Sequence, residues 1–92
     1  MANVIITMKI MPESPDTDLS AIEAEAKKKI EGFAGEGDMK VEQEPVAFGL
    51  KALKILFVMD ESKGSTESLE KEVSGIAGVN SVEITDVRRA IG

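Results

Sequence analysis

The chain has 92 residues and carries 17 acidic against 11 basic side chains, for a net charge of −6. This length fits one domain, which we assign to residues 1–92. The sequence contains neither cysteine nor histidine, which excludes disulfides, thiolate metal sites and histidine-dependent hydrolytic or zinc chemistry. The acidic balance repels phosphate backbones, so we expect a protein partner with a basic or mixed surface and no direct contact with nucleic acid.

The start of the chain has no feature of a signal peptide or a membrane span. The segment MANVIITMKI has a short apolar stretch without a basic region before it. No segment approaches the ~20 apolar residues that a membrane-spanning helix requires. We therefore expect a soluble, cytoplasmic protein that makes no membrane contact.

The first third of the chain predicts a strand followed by a helix. Residues 4–11 alternate between two faces, as a strand does. The segment PESPDTD ends this strand and offers Asp16 or Asp18 as the cap of a helix. Spacings of three or four predict an apolar stripe on that helix, formed by Leu19, Ile22, Ala26, Ile30 and Phe33. The lysines 27–29 follow early acids, which suits the helix dipole and predicts a solvated last turn.

The remainder of the chain predicts two strands, a second helix and a final strand. Residues 39–43 alternate as a shorter, polar strand, which Pro45 marks as an edge strand or a strand end. The segment KALKILFVMD is apolar on both faces, which is typical of a central strand. Residues Ser65 or Thr66 can cap the second helix. Its inward side chains are Leu69, Val73 and Ile76, and the last strand contains Val82 and Ile84.

This order of elements predicts the fold class. Strand, helix, strand, strand, helix, strand is the α+β, ferredoxin-like βαββαβ sandwich, a four-stranded antiparallel sheet with both helices on one face. The strand order 4-1-3-2 places the two most apolar strands at the centre. In the last connection, we expect Gly75 and Gly78 to serve chain geometry and not a ligand.

Several common sites are excluded by the residues present. There is no GxxxxGK[ST] phosphate loop, and GFAGEG is not preceded by the strand that a dinucleotide fingerprint needs. The acidic segments lack the ligand spacing of a calcium loop. RNA recognition by such a sheet uses exposed aromatic side chains, whereas Phe57 falls in register with the core residues. We expect no cofactor and no metal.

Two features remain as candidate sites. Phe48 lies between Pro45 and Gly49, at the join of two strands, where a large ring is hard to bury. It either fills a small satellite core under the loop or projects into the pocket of a partner, since aromatic side chains dominate many interfaces. The consecutive Arg88 and Arg89 point to opposite faces of an extended strand, so at least one is free of the core. The alternative for these arginines is a basic tail that balances an acidic protein.

The chain resembles the archaeal translation elongation factor 1-beta family, the guanine-nucleotide exchange factors of elongation factor 1-alpha. The resemblance rests on MPESPDTDL, EPVAFGLKAL and GVNSVEITDVRR, extends over almost the whole chain and is most specific in PVAFGLKAL and the closing TDV. We expect the chain to correspond to the exchange domain alone, without the amino-terminal extension of eukaryotic members. The fold that the family implies is the ferredoxin-like fold.

The family implies a protein that releases GDP from elongation factor 1-alpha without covalent chemistry, and therefore not an enzyme; we expect a monomer. Phe48, with Gly49 beside it, matches the aromatic residue that enters a pocket of the GTPase. Lys51 and Lys54 lie on the same segment and are expected to steer the complex, the alternative being ordinary long surface side chains. Eukaryotic members also place a lysine near the carboxyl terminus, but no lysine follows Asp86 here. On this resemblance, Arg88 or Arg89 supplies that charge, although a guanidinium is bulkier than an ammonium.

An alternative function remains open at this stage. The segment GIAGVNSVEI also resembles ferredoxin-like modules that sense small molecules or metals. The metal-binding version lacks the CxxC motif that it requires.

Overall fold

The computed structural model of the protein describes residues 3–35 and 37–89. Two short 3₁₀ turns, Ala47–Gly49 and Glu61–Lys63, accompany six regular elements. In chain order these elements are β1 (Asn3–Pro12), α1 (Leu19–Ala34), β2 (Met39–Pro45), β3 (Lys51–Asp60), α2 (Glu67–Ser74) and β4 (Val79–Arg89). The predicted order of strands and helices is confirmed.

The four strands form one antiparallel sheet in the order β2-β3-β1-β4. This is the predicted order, with β1 and β3 at the centre and the polar strand β2 at an edge. The register of the central pair places Ile6 opposite Phe57 and Met8 opposite Ile55. Since opposite residues of a strand pair share a face, their apolar side chains lie on one side of the sheet.

Both helices pack on that side of the sheet. The buried core draws on β1, β3 and β4 and on one face of each helix. Its members are Ile6, Met8, Ile10, Ile22, Ala26, Ile30, Leu53, Ile55, Phe57, Met59, Leu69, Val73 and Val79. Complete burial of one such aliphatic or aromatic side chain contributes about 1.5–3 kcal/mol to stability. The ferredoxin-like α+β architecture is thereby confirmed.

Each helix begins at a predicted cap. The Asp18 Oδ1 atom accepts hydrogen bonds from the backbone N–H groups of Ser20 (3.0 Å) and Ala21 (3.3 Å). At α2, Thr66 occupies the cap position. Its hydroxyl donates to Glu70 Oε2 (3.0 Å), while the backbone N–H of Glu67 donates to Ser65 Oγ (3.1 Å). Thr66 therefore holds the cap position without capping the helix through its side chain, and Ser65 accepts the backbone N–H group.

The lysines of α1 do not form its last turn, so that prediction is wrong. The helix continues to Ala34, because Phe33 and Ala34 pack against the core. Lys27 lies in mid-helix and pairs with Glu23 across one turn, with Nζ 3.2 Å from Oε2. Lys28 also pairs with an acidic residue of α1, Glu25 (3.9 Å), so the triplet lies within the helix and not at its terminus.

A glycine in the turn before β4 holds the loop that follows β1. The backbone N–H of Glu13 donates to the carbonyl oxygen of Gly78 at 2.9 Å. Gly78 has φ +92°, and a Cβ atom there would lie 2.8 Å from Cγ2 of Thr17. Both the backbone conformation and the close approach of the loop therefore require glycine. By contrast, Gly75 has φ −81°, which any residue adopts.

We predict that Gly78→Ala lowers the free energy of unfolding by about 2 kcal/mol, because alanine combines a left-handed backbone with a steric clash. Gly75→Ala is the matched control, since a Cβ atom there would come no closer than 3.5 Å to a neighbour. Its effect is expected within about 0.5 kcal/mol. Urea unfolding measures both variants. Equal stability of the two would show that the loop moves away from residue 78 without cost.

Candidate partner-binding site

Phe48 lies in a tight turn between β2 and β3. The backbone N–H of Val46 donates to the carbonyl oxygen of Leu50 at 2.8 Å, and the N–H of Leu50 donates to Ala47 at 3.3 Å. These bonds close the turn from both directions. The three residues at its tip, Ala47–Gly49, therefore have a fixed backbone although all three are exposed.

The backbone of Phe48 is in the left-handed region, with φ 63° and ψ 30°. No other non-glycine residue among those described has a positive φ. Gly49 follows with φ 74°, so the turn requires two left-handed residues in succession, of which glycine occupies only the second. A left-handed backbone costs a residue with a Cβ atom roughly 1–2 kcal/mol. Such strain is frequent at functional sites.

Phe48 is 93% exposed, so its ring is not packed within the domain. The alternative of a satellite core under the loop is therefore wrong. Phe57, in contrast, is 2% exposed and belongs to the core, as its register predicted. A large apolar side chain is thus exposed to solvent on a strained backbone. The binding role of Phe48 stays a prediction.

The two lysines that follow Phe48 lie on opposite faces of the sheet. Lys54 is opposite Lys9 on the face away from the helices, and its Nζ atom lies 3.7 Å from Glu44 Oε2. Lys51 instead lines a cavity on the other side, together with Gly49 and residues of the β1–α1 loop. The two lysines that follow Phe48 are therefore in separate environments, one on each face of the sheet.

The two arginines near the end of β4 are exposed, and each has an acidic partner. Arg88 is opposite Ile5, and its Nε atom lies 2.8 Å from Asp86 Oδ2. Arg89 is opposite Val4, on the other face, and its Nη2 atom lies 3.1 Å from Glu61 Oε2. The prediction that they point to opposite faces is confirmed.

The structure does not bring the arginines to the Phe48 turn. Arg89 pairs with Val4 at the start of β1, whereas Leu53, just after the turn, pairs with Ile10 near its end. Six residues of a strand at about 3.3 Å each separate these positions by roughly 20 Å. The predicted site residues therefore form two groups at opposite ends of the sheet.

The described residues contain no group of acidic side chains arranged to hold a metal ion. Near the arginine end, the backbone N–H of Ser62 donates to Asp60 Oδ1 at 2.9 Å and lowers the pKa of that carboxyl below its usual value. Within the described ranges, no helix is long and apolar enough to cross a membrane.

Comparison with known proteins identifies the family. The EF-1 guanine nucleotide exchange domain matches residues 5–90 of this chain. The elongation factor 1-beta of Methanothermobacter thermautotrophicus is 46% identical over 89 residues, covering 97% of this chain and 98% of that protein. The elongation factor 1-beta of Methanobrevibacter smithii is 47% identical over 90 residues with the same coverage. That of Methanosphaera stadtmanae is 40% identical over 89 residues.

The chain belongs to the family of EF-1 guanine nucleotide exchange domains. Its similarity to archaeal elongation factors 1-beta extends over nearly its whole length. The predicted family is confirmed, and with it a guanine-nucleotide-exchange role in translation elongation. The alternative prediction, a small-molecule-sensing module, does not match this family.

We predict that Phe48→Gly raises the free energy of unfolding by about 1 kcal/mol, because glycine relieves the left-handed backbone and the exposed ring contributes no packing. As a contrast, Phe57→Ala is expected to lower it by about 3–5 kcal/mol through loss of core packing. Thermal or urea unfolding measures both. A marked loss of stability in Phe48→Gly would mean that the ring packs against its own domain in solution.

Proposed function

We propose that this chain promotes the release of GDP from elongation factor 1-alpha by inserting Phe48 into a pocket of that GTPase. The observation that carries the proposal is the 93% exposed ring on a left-handed turn. The strained backbone and the exposed ring both lower the stability of the isolated domain. In a complex, a partner pocket that buries the ring would gain binding energy from its exposed apolar surface.

The turn favours this use on energetic grounds. A side chain on a backbone closed by the two hydrogen bonds of Val46 and Leu50 loses little conformational entropy when it docks. Aromatic residues at the centre of an interface commonly contribute 2 kcal/mol or more, by truncation to alanine. The ring therefore supplies enough binding energy to favour one conformation of the GTPase over another.

Nucleotide exchange requires only that the factor binds one conformation of the GTPase more tightly than another. A GTPase holds GDP through its phosphate loop, its switch segments and Mg²⁺, and an exchange factor stabilises a conformation in which those contacts are broken. Each tenfold acceleration needs that conformation to be favoured by about 1.4 kcal/mol. By linkage, GDP weakens the binding of the factor as much as the factor weakens the binding of GDP. Incoming nucleotide then displaces the factor.

Residues 1–92 act in this proposal as one exchange domain that works as a monomer in the cytoplasm. No covalent bond forms or breaks, so the domain acts as a binding protein and not as an enzyme. Its acidic charge suits a basic or mixed protein surface, without nucleic acid or membrane as direct partner. Lys51 and Lys54, on opposite faces of β3, steer the approach of the GTPase, with Gly49 allowing the close contact of the turn.

Arg88 and Arg89 form a second contact in this proposal, at the other end of the sheet. They stand in for the family lysine near the carboxyl terminus and act on the phosphate and Mg²⁺ side of the nucleotide site. Their ion pairs with Asp86 and Glu61 are exposed, so exchanging them for contacts with the GTPase costs about 0–1 kcal/mol each.

We predict that Phe48→Ala slows catalysed GDP release at least about tenfold, because truncation removes the interfacial aromatic contact. Release of a fluorescent GDP analogue from the elongation factor 1-alpha of the same organism measures the rate. Glu72→Ala, which trims an exposed side chain of α2 on the helix side of the sheet, is the control and leaves exchange unchanged. Exchange at the wild-type rate in Phe48→Ala would remove the ring from the mechanism.

The double variant Arg88→Ala with Arg89→Ala is expected to lower the maximal exchange rate at saturating factor. Stability should change by no more than about 1 kcal/mol, because both ion pairs are exposed. The matched variant Arg88→Lys with Arg89→Lys keeps the charge and should retain most of the rate. A maximal rate equal to that of the wild type in the alanine variant would exclude the arginines from the mechanism.

A further inference from the structure

A cavity of about 310 Å³ lies directly beside the Phe48 turn. Its wall is formed by the β1–α1 loop and the first turn of α1, together with residues of β2 and β3 that flank the Phe48 turn. Pro12, Pro15 and Leu19 give it an apolar part, while Ser14, Ser20 and Lys51 contribute donors. Its volume is far above the ~10–15 Å³ that one water molecule needs, so it has room for the side chain of a partner.

Lys51 is the cation of this cavity. Among the described residues it has no ion-pair partner within 4.0 Å, whereas Lys54, three residues further on, pairs with Glu44. The cavity also contains Asp18, but Oδ1 of that carboxylate already accepts two backbone N–H groups at the start of α1. The positive end of the helix partly offsets its charge. The ammonium group of Lys51 is therefore the charge that lacks a partner.

We infer that this cavity receives an aspartate or glutamate side chain of the same GTPase that takes up Phe48. This inference rests on the proposed function. The carboxylate pairs with Lys51 Nζ and accepts hydrogen bonds from the hydroxyls of Ser14 or Ser20, while its methylene groups contact the prolines. The ring projects outward and the carboxylate enters beside it, so the two contacts together set the orientation of the complex.

The two contacts have different energetic roles. Burial of the ring supplies most of the binding energy. A charge pair at the rim of an interface acts mainly on the rate of association and on the choice of partner, and its effect falls with added salt. Lys51 therefore contributes to the KM of exchange, and the rate at saturation depends on Phe48.

The test measures exchange kinetics of the full chain with variants of Lys51. Lys51→Gln is expected to raise KM for the GTPase by about three- to tenfold, to leave kcat unchanged and to reduce the salt dependence of KM. Lys51→Arg keeps the charge and restores most of the affinity. Lys71→Gln, on exposed α2, is the matched control because it makes the same change of net charge away from the cavity. It leaves KM unchanged.

Asp18→Asn tests the sign of the occupant. Asparagine caps the helix about as well as aspartate, so the fold is retained while the acidic charge of the cavity is removed. If a carboxylate binds there, KM falls by about two- to threefold, since its repulsion by Asp18 is lost. A rise of KM in Asp18→Asn, with a fall in Lys51→Gln, would show that the occupant is a cation and overturn the inference.

The remaining outcomes separate the inference from the proposed function. If the wild-type chain does not accelerate GDP release, the proposed function fails and the inference fails with it. If the wild type is active and Phe48→Ala is impaired, but Lys51→Gln behaves like Lys71→Gln, only the inference is overturned. Unfolding curves of every variant confirm that each is folded.

Discussion

The packing of two central strands against two helices is the interaction on which the rest of this structure depends. Every second side chain of β1 and β3 is buried, and these side chains meet across the strand pair in one register. A slip by one residue would turn the whole apolar row into water, so the register is strongly determined. The ends of the strands are thereby fixed as well. The position of the Phe48 turn at one end, and of the arginines at the other, follows from the core.

A well-packed core also explains how the domain tolerates an unfavourable turn. The left-handed backbone of Phe48 and the exposure of its ring both act against stability, by amounts that are small beside the burial of thirteen core residues. The adjoining strands hold Val46 and Leu50 in place, so the turn cannot relax without breaking its own hydrogen bonds. The stability of the core and of the adjoining strands therefore maintains the strained backbone at Phe48.

The fold was predictable from sequence because its helices and strands follow from short-range patterns. The alternation of apolar residues in β1 and β3 and the apolar stripes of the helices can be read directly, and together they predict the observed strand order. The end of α1 was missed because Phe33 and Ala34 are held in the helix by contacts with distant residues. The same holds for the cavity beside Lys51 and for the ion pairs of Arg88 and Arg89. They depend on tertiary contacts and side-chain positions that a local sequence pattern does not predict. For Phe48, the following glycine indicated a turn but not a left-handed backbone at the aromatic residue itself.

The wide separation of the two predicted contacts has a consequence for the shape of any complex. A partner that touches both ends of the sheet must present a continuous footprint along β1, a distance of at least roughly 20 Å. A smaller fragment of the partner would reach only one end. Binding of such a fragment would then separate the contribution of the aromatic tip from that of the basic end.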